Sequence, residues 1–393
     1  MQLELRFFTA ALGGDGGPGN GRALAARCLP SAVIVDFDET LTTADTTALI
    51  IDAIVQAAAE RQKGATGEAL VAARGATRDA LVARLLRERD AVLATSLPAD
   101  PQPDHNAAAA AAFSAALSAF DREANLRAFG SGLLAGAPIG TVEAAGTTVG
   151  RTALRPGAAA ALTAALEHGL PVRVLSVSWS ASFVAAALRS AGVPAIVAPG
   201  WPPQAIAAEH GGAQGSAVVY ANELRYGADG LTTGEVQARC ECADDKAAAF
   251  AALTAGLASP GREPPFTVCV GDSPSDVGAL LAARAGVIVG TSATMARVLQ
   301  GLGVTVKPLA AGAHILCVVV GGGGWDAPPR TFDPCPQAAS TLHIPSSQCP
   351  HTAGRTLPAC YMPPLTGTRS GPTCWPTPSP PTPNRRACPV SCL

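Results

Sequence analysis

Ala32-Val-Ile-Val-Asp36-Phe-Asp38-Glu-Thr40 is a run of mostly β-branched apolar residues that ends in two carboxylates two positions apart. The apolar part predicts a buried strand. Asp36 is then expected at the carboxyl end of the strand and Asp38 just past it, at the edge where open α/β sheets bind ligands. One carboxylate can attack as a nucleophile, and the other can carry a proton. The alternative is an acidic turn in which aspartate caps a helix.

The composition excludes several classes of partner. The chain has 393 residues, of which 48% are hydrophobic and 15% charged, and its net charge is −2. This length accommodates two domains, and nothing in the charge pattern indicates a nucleic-acid partner or a membrane-binding face. No apolar run approaches the roughly 20 residues of a membrane span. The cysteines are scattered or lie in the last fifth of the chain, which favours neither a disulfide framework nor a metal site.

Strand and helix patterns alternate after the first strand, which predicts a Rossmann-like parallel sheet with helices on both faces, an α/β fold. A long, mostly helical stretch interrupts this alternation directly after the first strand, and we interpret it as an inserted all-helical cap. Further along, residues 217–222 and 232–236 are predicted as two strands around the turn Gly227-Ala-Asp-Gly230.

These patterns divide the chain into four parts. We expect the first and last parts to be disordered, because they are rich in glycine or in proline and cysteine and lack periodicity. Arginines in the first part are mildly typical of a transit peptide. The same part lacks the apolar core and flanks of a secretory signal, so we predict a cytoplasmic protein and leave an organellar location open. The parts are the amino-terminal segment 1–30, the cap 43–149, the core 31–42 with 150–315, and the tail 316–393.

Polar residues follow three further strand or helix signals. Ser176 ends a strand, so its hydroxyl and the next backbone N–H groups can hold phosphoryl oxygens. Lys246 begins a helix and can neutralise both a nucleophile and a phosphate. Asp272 and Asp276 follow another strand, and with Asp36 they form an oxygen-rich set that suits Mg²⁺. Each residue alone has an ordinary structural alternative, but their order at three strand ends argues against coincidence.

This set resembles the haloacid dehalogenase superfamily of phosphatases over about residues 31–310. The second aspartate after the nucleophile is typical of its phosphatases rather than its dehalogenases, and the helical insertion resembles the C1 cap of the superfamily. Arg155-Pro-Gly157 and Tyr220-Ala-Asn222-Glu223 are similar to the phosphoserine phosphatase branch. The four motifs correspond to Asp36-Phe-Asp38-Glu-Thr40, Ser176, Lys246 and Gly271-Asp272-Ser-Pro-Ser-Asp276.

Within that branch, three stretches resemble the phosphatase domain of the plant thiamin monophosphate phosphatases. In that family the domain usually follows a second domain, for which the segment before Asp36 is too short, so we expect that domain to be absent. The carboxyl-terminal strand and helix of the family are also expected to be replaced by the tail. The stretches are 120–127, 174–180 and 220–223.

The resemblance implies a Mg²⁺-dependent hydrolase of small-molecule phosphomonoesters, with thiamin monophosphate as the expected substrate and an oligomeric state that stays open. The alternatives are a phosphatase for phosphoserine or a phosphorylated vitamin, and a non-catalytic module whose tail docks a partner. The implied roles are nucleophile for Asp36, acid and base for Asp38, phosphate or substrate binding for Ser176, Val177, Lys246 and Asn222, and metal binding for Asp36, Asp272, Asp276 and the Asp38 main-chain carbonyl.

Two residues support a cationic substrate. Asp45 begins the first cap helix, at a position where the phosphoserine branch has a glutamate that meets the substrate amino group. Trp179 follows Ser176 by three residues, and its aromatic face can hold a cation such as thiazolium. The alternative is that Asp45 caps its helix and Trp179 fills the joint between cap and core.

Overall fold

The computed structural model describes residues 30–98, 106–201, 215–257, 265–290, 292–308 and 315–319. All of them belong to one compact unit. The predicted amino-terminal segment, apart from residue 30, and the predicted tail beyond residue 319 lie outside the described residues. Within the described part of the chain, no helix combines the length and the apolar character that a membrane span requires.

The main sheet of the described chain has eight strands and is mostly parallel. Five neighbouring pairs are parallel, and the two pairs at one edge are antiparallel. In spatial order the strands are β10 (Thr305–Pro308), β11 (Ile315–Val319), β9 (Ala285–Val289), β8 (Thr267–Gly271), β1 (Ala32–Val35), β3 (Val172–Leu175), β5 (Ala217–Tyr220) and β4 (Ala195–Val197).

Strand β1 is central, and its four residues are completely apolar and buried. It pairs in parallel with β3 on one side and with β8 on the other, so that Val33 aligns with both Val172 and Val268. A strand covered on both faces needs such a continuous apolar run. The carboxyl ends of β1, β3 and β8 therefore meet at one edge, and the first, second and fourth motifs follow them there.

Alternate residues of β1 enter opposite halves of the core, since strand side chains alternate between the faces of a sheet. Val33 and Val35 belong to one hydrophobic cluster, and Ala32 and Ile34 to another. Helices α5 (Ala158–Glu167) and α6 (Ala181–Ser190) cover the first face, and α7 (Ala243–Ala255), α8 (Val277–Ala282) and α9 (Ala293–Gly301) cover the second. The predicted α/β fold with helices on both faces is confirmed.

Between β1 and β3 the chain forms helices α1 (Thr47–Gln62), α2 (Gly64–Ser96) and α3 (Ala107–Gly130). Only Gly67 and Leu93 are buried in α2, although it is 33 residues long. Charged pairs connect it to its neighbours, Arg78 with Asp52 of α1 and Glu88 with Arg127 of α3. The predicted helical insertion is therefore present over these three helices.

The predicted insertion is not all-helical up to residue 149. Strand β2 (Ala135–Pro138) pairs with β7 (Leu231–Gln237), which is antiparallel to β6 (Glu223–Tyr226), in a separate three-stranded sheet. Helix α4 (Ile139–Thr152) then packs so closely on α6 that a Cβ at Gly146 would lie 2.3 Å from the Phe183 carbonyl oxygen. Strand β2 forms through its pairing with β7, which is distant in sequence, and local pattern did not predict it.

Two further predictions need correction. Residues 217–222 do not pair with 232–236, because β5 joins the main sheet and β6 is the strand that pairs with β7. The turn between β6 and β7 was predicted correctly, with Gly230 at φ 74°.

The predicted tail begins too early at residue 316, since β11 continues to Val319 between β10 and β9. Its apolar sequence Ile-Leu-Cys-Val-Val suits a strand.

Candidate active site

Asp36 lies directly after β1, and its backbone N–H donates to the carbonyl of Val270 at 2.9 Å. This bond continues the parallel ladder into the first residue of the loop. Glu39 then takes a positive φ of 53°, a conformation that non-glycine residues adopt rarely. The Arg155 guanidinium donates to the Glu39 carbonyl oxygen from two nitrogens, at 2.6 and 3.1 Å. Arg155 thereby stabilises the sharp turn that separates Asp36 from the helices.

Lys246, in the first turn of α7, is 1% exposed and connects the first and fourth motifs. Its Nζ donates to Asp36 Oδ1 at 2.8 Å and to Asp276 Oδ1 at 2.7 Å. Burial alone would lower the pKa of Lys246, but the carboxylates of Asp276 and Asp36 outweigh it and raise that pKa. The ammonium therefore stays charged between two carboxylates.

The fourth motif begins at the end of β8. A Cβ at Gly271 would lie 2.5 Å from Asp276 Cγ, so only glycine fits there. Asp276 forms a capping box with Ser273, which closes the short turn that follows. Asp272 accepts a hydrogen bond of 2.7 Å from the Thr40 hydroxyl, and burial raises the pKa of Asp272 to about 6. The turn thus directs both carboxyl groups towards Asp36.

The carboxylates of Asp36, Asp272 and Asp276 offer oxygens that all lie within 4.8 Å of one another, and all three residues are buried. Burial, Asp276 and Asp272 raise the pKa of Asp36, while Lys246 opposes the rise. Three carboxylates face a single buried ammonium, so the set carries excess negative charge when ionised. Hard carboxylate oxygens of this kind suit Mg²⁺. The residues present therefore fit the predicted metal.

Asp38 stands outside this carboxylate group. Its Oδ1 accepts hydrogen bonds from the Thr46 N–H at 2.8 Å and from the Thr46 hydroxyl at 2.5 Å. Burial raises the pKa of Asp38 to about 6, although both hydrogen bonds oppose the rise. A carboxyl group with such a pKa exchanges protons near neutral pH, as acid–base catalysis requires. Its main-chain carbonyl, the predicted metal ligand, accepts from the Thr40 N–H at 2.6 Å.

The predicted phosphate loop follows β3. The completely buried Ser176 accepts a hydrogen bond of 3.1 Å at its Oγ from the Ser178 N–H. Among the described residues, none accepts a hydrogen bond from the Val177 N–H, and this residue is only partly buried. The loop therefore presents a backbone donor at the carboxyl edge of the sheet, where an anion can be bound.

Asn222 does not offer its side chain to a substrate, contrary to the prediction. It is completely buried. Its Nδ2 donates to the carbonyl oxygens of Val177, Ser178 and Cys240 at 3.0, 3.2 and 2.8 Å. Its Oδ1 accepts from the N–H groups of Arg239 and Cys240. A side chain with this many backbone partners has no free donor, so Asn222 positions the Ser176–Ser178 loop.

The geometry of Asp45 and Trp179 matches their structural alternatives. Asp45 is exposed, lies one residue before the N-cap Thr46, and accepts a hydrogen bond of 2.7 Å from the N–H of Thr47, the first residue of α1. The Trp179 Nε1 donates to Asn125 Oδ1 at 3.1 Å, and its ring lies edge-to-face with Phe129 at 5.7 Å. Trp179 thus connects the loop after β3 to helix α3. A direct role of either residue towards a cation stays a prediction.

Three residues near the site were not singled out from the sequence. Thr40 orients Asp272 and Thr46 orients Asp38, as the hydrogen bonds above show. Asp121 on α3 is partly buried, and burial raises its pKa to about 7. Thr40 belongs to the opening stretch and could have been included as a hydroxyl after two carboxylates. No local signal distinguished Thr46 or Asp121.

A sequence comparison relates part of the chain to a longer protein. The chain is 28% identical over 200 residues to the bifunctional TH2 protein, mitochondrial, of Arabidopsis thaliana. The match spans 50% of this chain and only 28% of the length of that protein. No model of a protein family matches the chain.

A comparison with solved structures matches the chain to a substrate-bound complex of phosphoserine phosphatase, with 18% identity, a TM-score of 0.34, and coverage of 65% of this chain and 84% of that one. Phosphoserine phosphatase in its apo form has 17% identity, a TM-score of 0.35 and the same coverage. A protein of unknown function from Bordetella pertussis Tohama I has 17% identity and a TM-score of 0.38, over 69% and 95% of the two chains. The match to the TH2 protein agrees with the resemblance that the motifs indicate.

Proposed function

We propose that the chain is a Mg²⁺-dependent phosphomonoesterase in which Asp36 is the nucleophile. The observation that carries the proposal is the buried Lys246 ammonium, which bonds both Asp36 and Asp276 inside a group of three carboxylates. An isolated set of buried charges is costly to fold, and such clusters occur mainly at functional sites. Asp38, with a pKa of about 6, stands two residues from the nucleophile.

The arrangement supports a two-step hydrolysis. Asp36 attacks phosphorus and forms an aspartyl-phosphate while the bond to the leaving alcohol breaks. Asp38 donates its proton to the leaving oxygen, then takes a proton from the water that attacks the aspartyl-phosphate and releases inorganic phosphate. The Ser176 hydroxyl, the Val177 N–H and the Lys246 ammonium bind the phosphoryl oxygens.

A magnesium ion would be held by Asp36, Asp272, Asp276 and the Asp38 carbonyl, and when bound it supplies positive charge next to the phosphoryl group. Thr40 keeps Asp272 in place through its 2.7 Å hydrogen bond. The Lys246 ammonium places a second positive charge next to the Asp36 carboxylate, to which it donates a hydrogen bond. The Lys246 ammonium favours the ionised form of Asp36 and so opposes the effect of burial, and a nucleophile needs the ionised form.

The proposed substrate is thiamin monophosphate, hydrolysed to thiamin. Support comes from the motifs that resemble the plant thiamin monophosphate phosphatases and from the match to the TH2 protein. A phosphatase for another small metabolite is the second candidate. A non-catalytic module is disfavoured because Asp36, Asp38, Lys246 and Asp272 are all present.

The test is phosphate release from a panel of phosphomonoesters, with Mg²⁺ and with a chelator. The panel contains thiamin monophosphate, phosphoserine, pyridoxal phosphate and para-nitrophenyl phosphate. We expect release that requires Mg²⁺ and is fastest from thiamin monophosphate. Loss of release in Asp36→Asn but not in Asp90→Asn, an exposed aspartate on α2, would assign the reaction to this site. Equal activity of Asp36→Asn and wild type would refute it.

The location stays a prediction, because residues 1–29 lie outside the described residues. The TH2 protein is named as a mitochondrial protein, which supports an organellar rather than a cytoplasmic location for this chain. Imaging of the chain fused at its carboxyl end to a fluorescent protein separates the two locations. A diffuse cytoplasmic signal would contradict the organellar proposal.

A further inference from the structure

The inserted segment leaves and rejoins the core through two connections that lie side by side. Residues 41–43 leave the core, and residues 153–155 return to it. The backbone N–H groups of Thr43 and Arg155 each donate to a carbonyl oxygen of the opposite connection at 2.8 Å, and an antiparallel bridge joins the middle residues of the two connections. This pairing begins directly after the first motif ends at Thr40, so the return connection lies beside that motif.

Arg155 extends its side chain from the return connection to the first motif. Its Nη2 and Nε donate to the Glu39 carbonyl oxygen at 2.6 and 3.1 Å. The Glu39 N–H donates to Thr42 Oγ1 at 2.9 Å. The Glu39 side chain is exposed, and its carboxylate accepts no hydrogen bond from any described residue. The conformation of Glu39 is therefore held through its two backbone polar groups and not through its own side chain.

The positive φ of Glu39, 53°, is costly for a residue with a Cβ. Glycine adopts such a φ freely, asparagine tolerates it, and β-branched residues tolerate it least. A strained residue of this kind persists only where its surroundings hold it in place. Within the described part of the chain, Arg155 donates both side-chain hydrogen bonds that the Glu39 carbonyl accepts. Arg155 thus offsets the strain at Glu39.

Glu39 stands between two groups of the proposed mechanism. Asp38 precedes it, and Thr40 follows it and donates its hydroxyl to Asp272 at 2.7 Å. The Thr40 N–H also donates to the Asp38 carbonyl at 2.6 Å. A change of φ at Glu39 would rotate Asp38 and Thr40 relative to each other. Because Thr40 is buried and bound to Asp272, the displacement would fall on Asp38.

We infer that Arg155 is a positioning residue for the acid–base group Asp38. By binding the Glu39 carbonyl it holds the positive φ, and that φ keeps the Asp38 carboxyl directed at the leaving oxygen. The inference rests on the proposed phosphatase function. It adds a connection between the return of the inserted segment and proton transfer, and Arg155 acts in it through the backbone of Glu39 and not on the substrate.

The experiment measures kcat/KM in saturating Mg²⁺ for para-nitrophenyl phosphate and for the alkyl phosphate that wild type hydrolyses fastest. This parameter covers the steps up to departure of the leaving group, and an alkoxide needs an acid there whereas nitrophenolate hardly does. The variants are Arg155→Ala, and Glu39→Gly, Glu39→Asn and Glu39→Val with and without Arg155→Ala. Arg151→Ala, an exposed arginine on α4, is the matched control. Thermal melting of each variant measures its folding.

Arg155→Ala should lower kcat/KM for the alkyl phosphate by about tenfold or more, and for para-nitrophenyl phosphate by less than about threefold. Adding Glu39→Gly should restore the alkyl value to within about threefold of wild type, because glycine needs no support at positive φ. Glu39→Asn should restore less, and Glu39→Val should lower activity even with Arg155 present. Arg151→Ala should match wild type on both substrates.

Three results would overturn the inference while the phosphatase function stands. A lower melting temperature of Arg155→Ala with wild-type kcat/KM would show a residue that only stabilises the fold. Absence of recovery on adding Glu39→Gly would show that Arg155 does not act through the Glu39 backbone. Equal losses on alkyl and aryl phosphates would show that it does not act through Asp38.

The double variant also covers a failure of folding. If Arg155→Ala alone does not fold, the same substitution combined with Glu39→Gly should fold and be active, and an unfolded double variant would overturn the inference. Absence of phosphate release from every substrate by wild type would refute the proposed function, and the inference with it.

Discussion

Asp121→Asn should make the stability of the protein less dependent on pH. Burial raises the pKa of Asp121 to about 7, from an ordinary value of 3.8. The folded state therefore binds the proton more tightly than the unfolded state does. The stability associated with the protonated carboxyl is fully present below pH 3.8 and is lost as the pH rises through about 7.

The magnitude follows from the two pKa values. Ionised Asp121 costs the folded state about 4 kcal/mol at pH 8 and about 2 kcal/mol at pH 5. An asparagine at this position has a cost of its own, but that cost does not vary with pH. The difference in unfolding free energy between Asp121→Asn and wild type should therefore increase in favour of the variant by about 2–3 kcal/mol between pH 5 and pH 8.

Urea unfolding of wild type, Asp121→Asn and Asp90→Asn at several pH values between 5 and 8 measures this difference. Asp90 is exposed on α2, so its variant should follow wild type across the range. Parallel stability profiles for Asp121→Asn and wild type would show that Asp121 is well solvated.

Other predictions concern the catalytic groups and the domain boundary. Asp38→Asn should lower kcat by about a hundredfold for an alkyl phosphate and less for para-nitrophenyl phosphate, whose leaving group needs little protonation; equal losses in steady-state assays would argue against an acid role. Gly271→Ala should destabilise the fold by about 1–3 kcal/mol and lower activity, because the added Cβ would lie 2.5 Å from Asp276 Cγ; an unchanged melting temperature would contradict this close contact. A chain ending at residue 320 should stay folded and active, whereas one ending at residue 314 should lose stability, since it lacks β11 between β9 and β10; identical urea midpoints for the two chains would show that β11 contributes nothing.

The placement of the four motifs could be predicted from sequence because parallel strands impose it. Once 32–35 is recognised as a buried strand, any carboxylate directly after it stands at the carboxyl edge. The same holds for Ser176 after β3 and Asp272 after β8. Lys246 was placed by its position at the start of a helix and its order along the chain. Local pattern was sufficient wherever the partner strand was also apolar and parallel.

Other features depend on contacts distant in sequence, and local pattern did not reveal them. The short sequence Ala-Gly-Ala-Pro of β2 has little strand propensity and becomes a strand only by pairing with β7. Asn222 was expected to bind substrate, but its surroundings of backbone carbonyl and N–H groups are visible only in the folded chain. Asp121 is one charged residue among several on α3, and no local pattern distinguishes it from the others.

The central claim is that Asp36 carries the phosphoryl group, and chemical trapping tests it most directly. Asp38→Asn should accumulate the aspartyl-phosphate from para-nitrophenyl phosphate in Mg²⁺, because the leaving group needs no acid while the attacking water lacks its base. Acid quenching, borohydride reduction and peptide mass spectrometry should then detect homoserine at position 36, and none when substrate is omitted. Continuing release of nitrophenol with Asp36 unmodified, or reduction at a different carboxylate, would contradict the proposed mechanism.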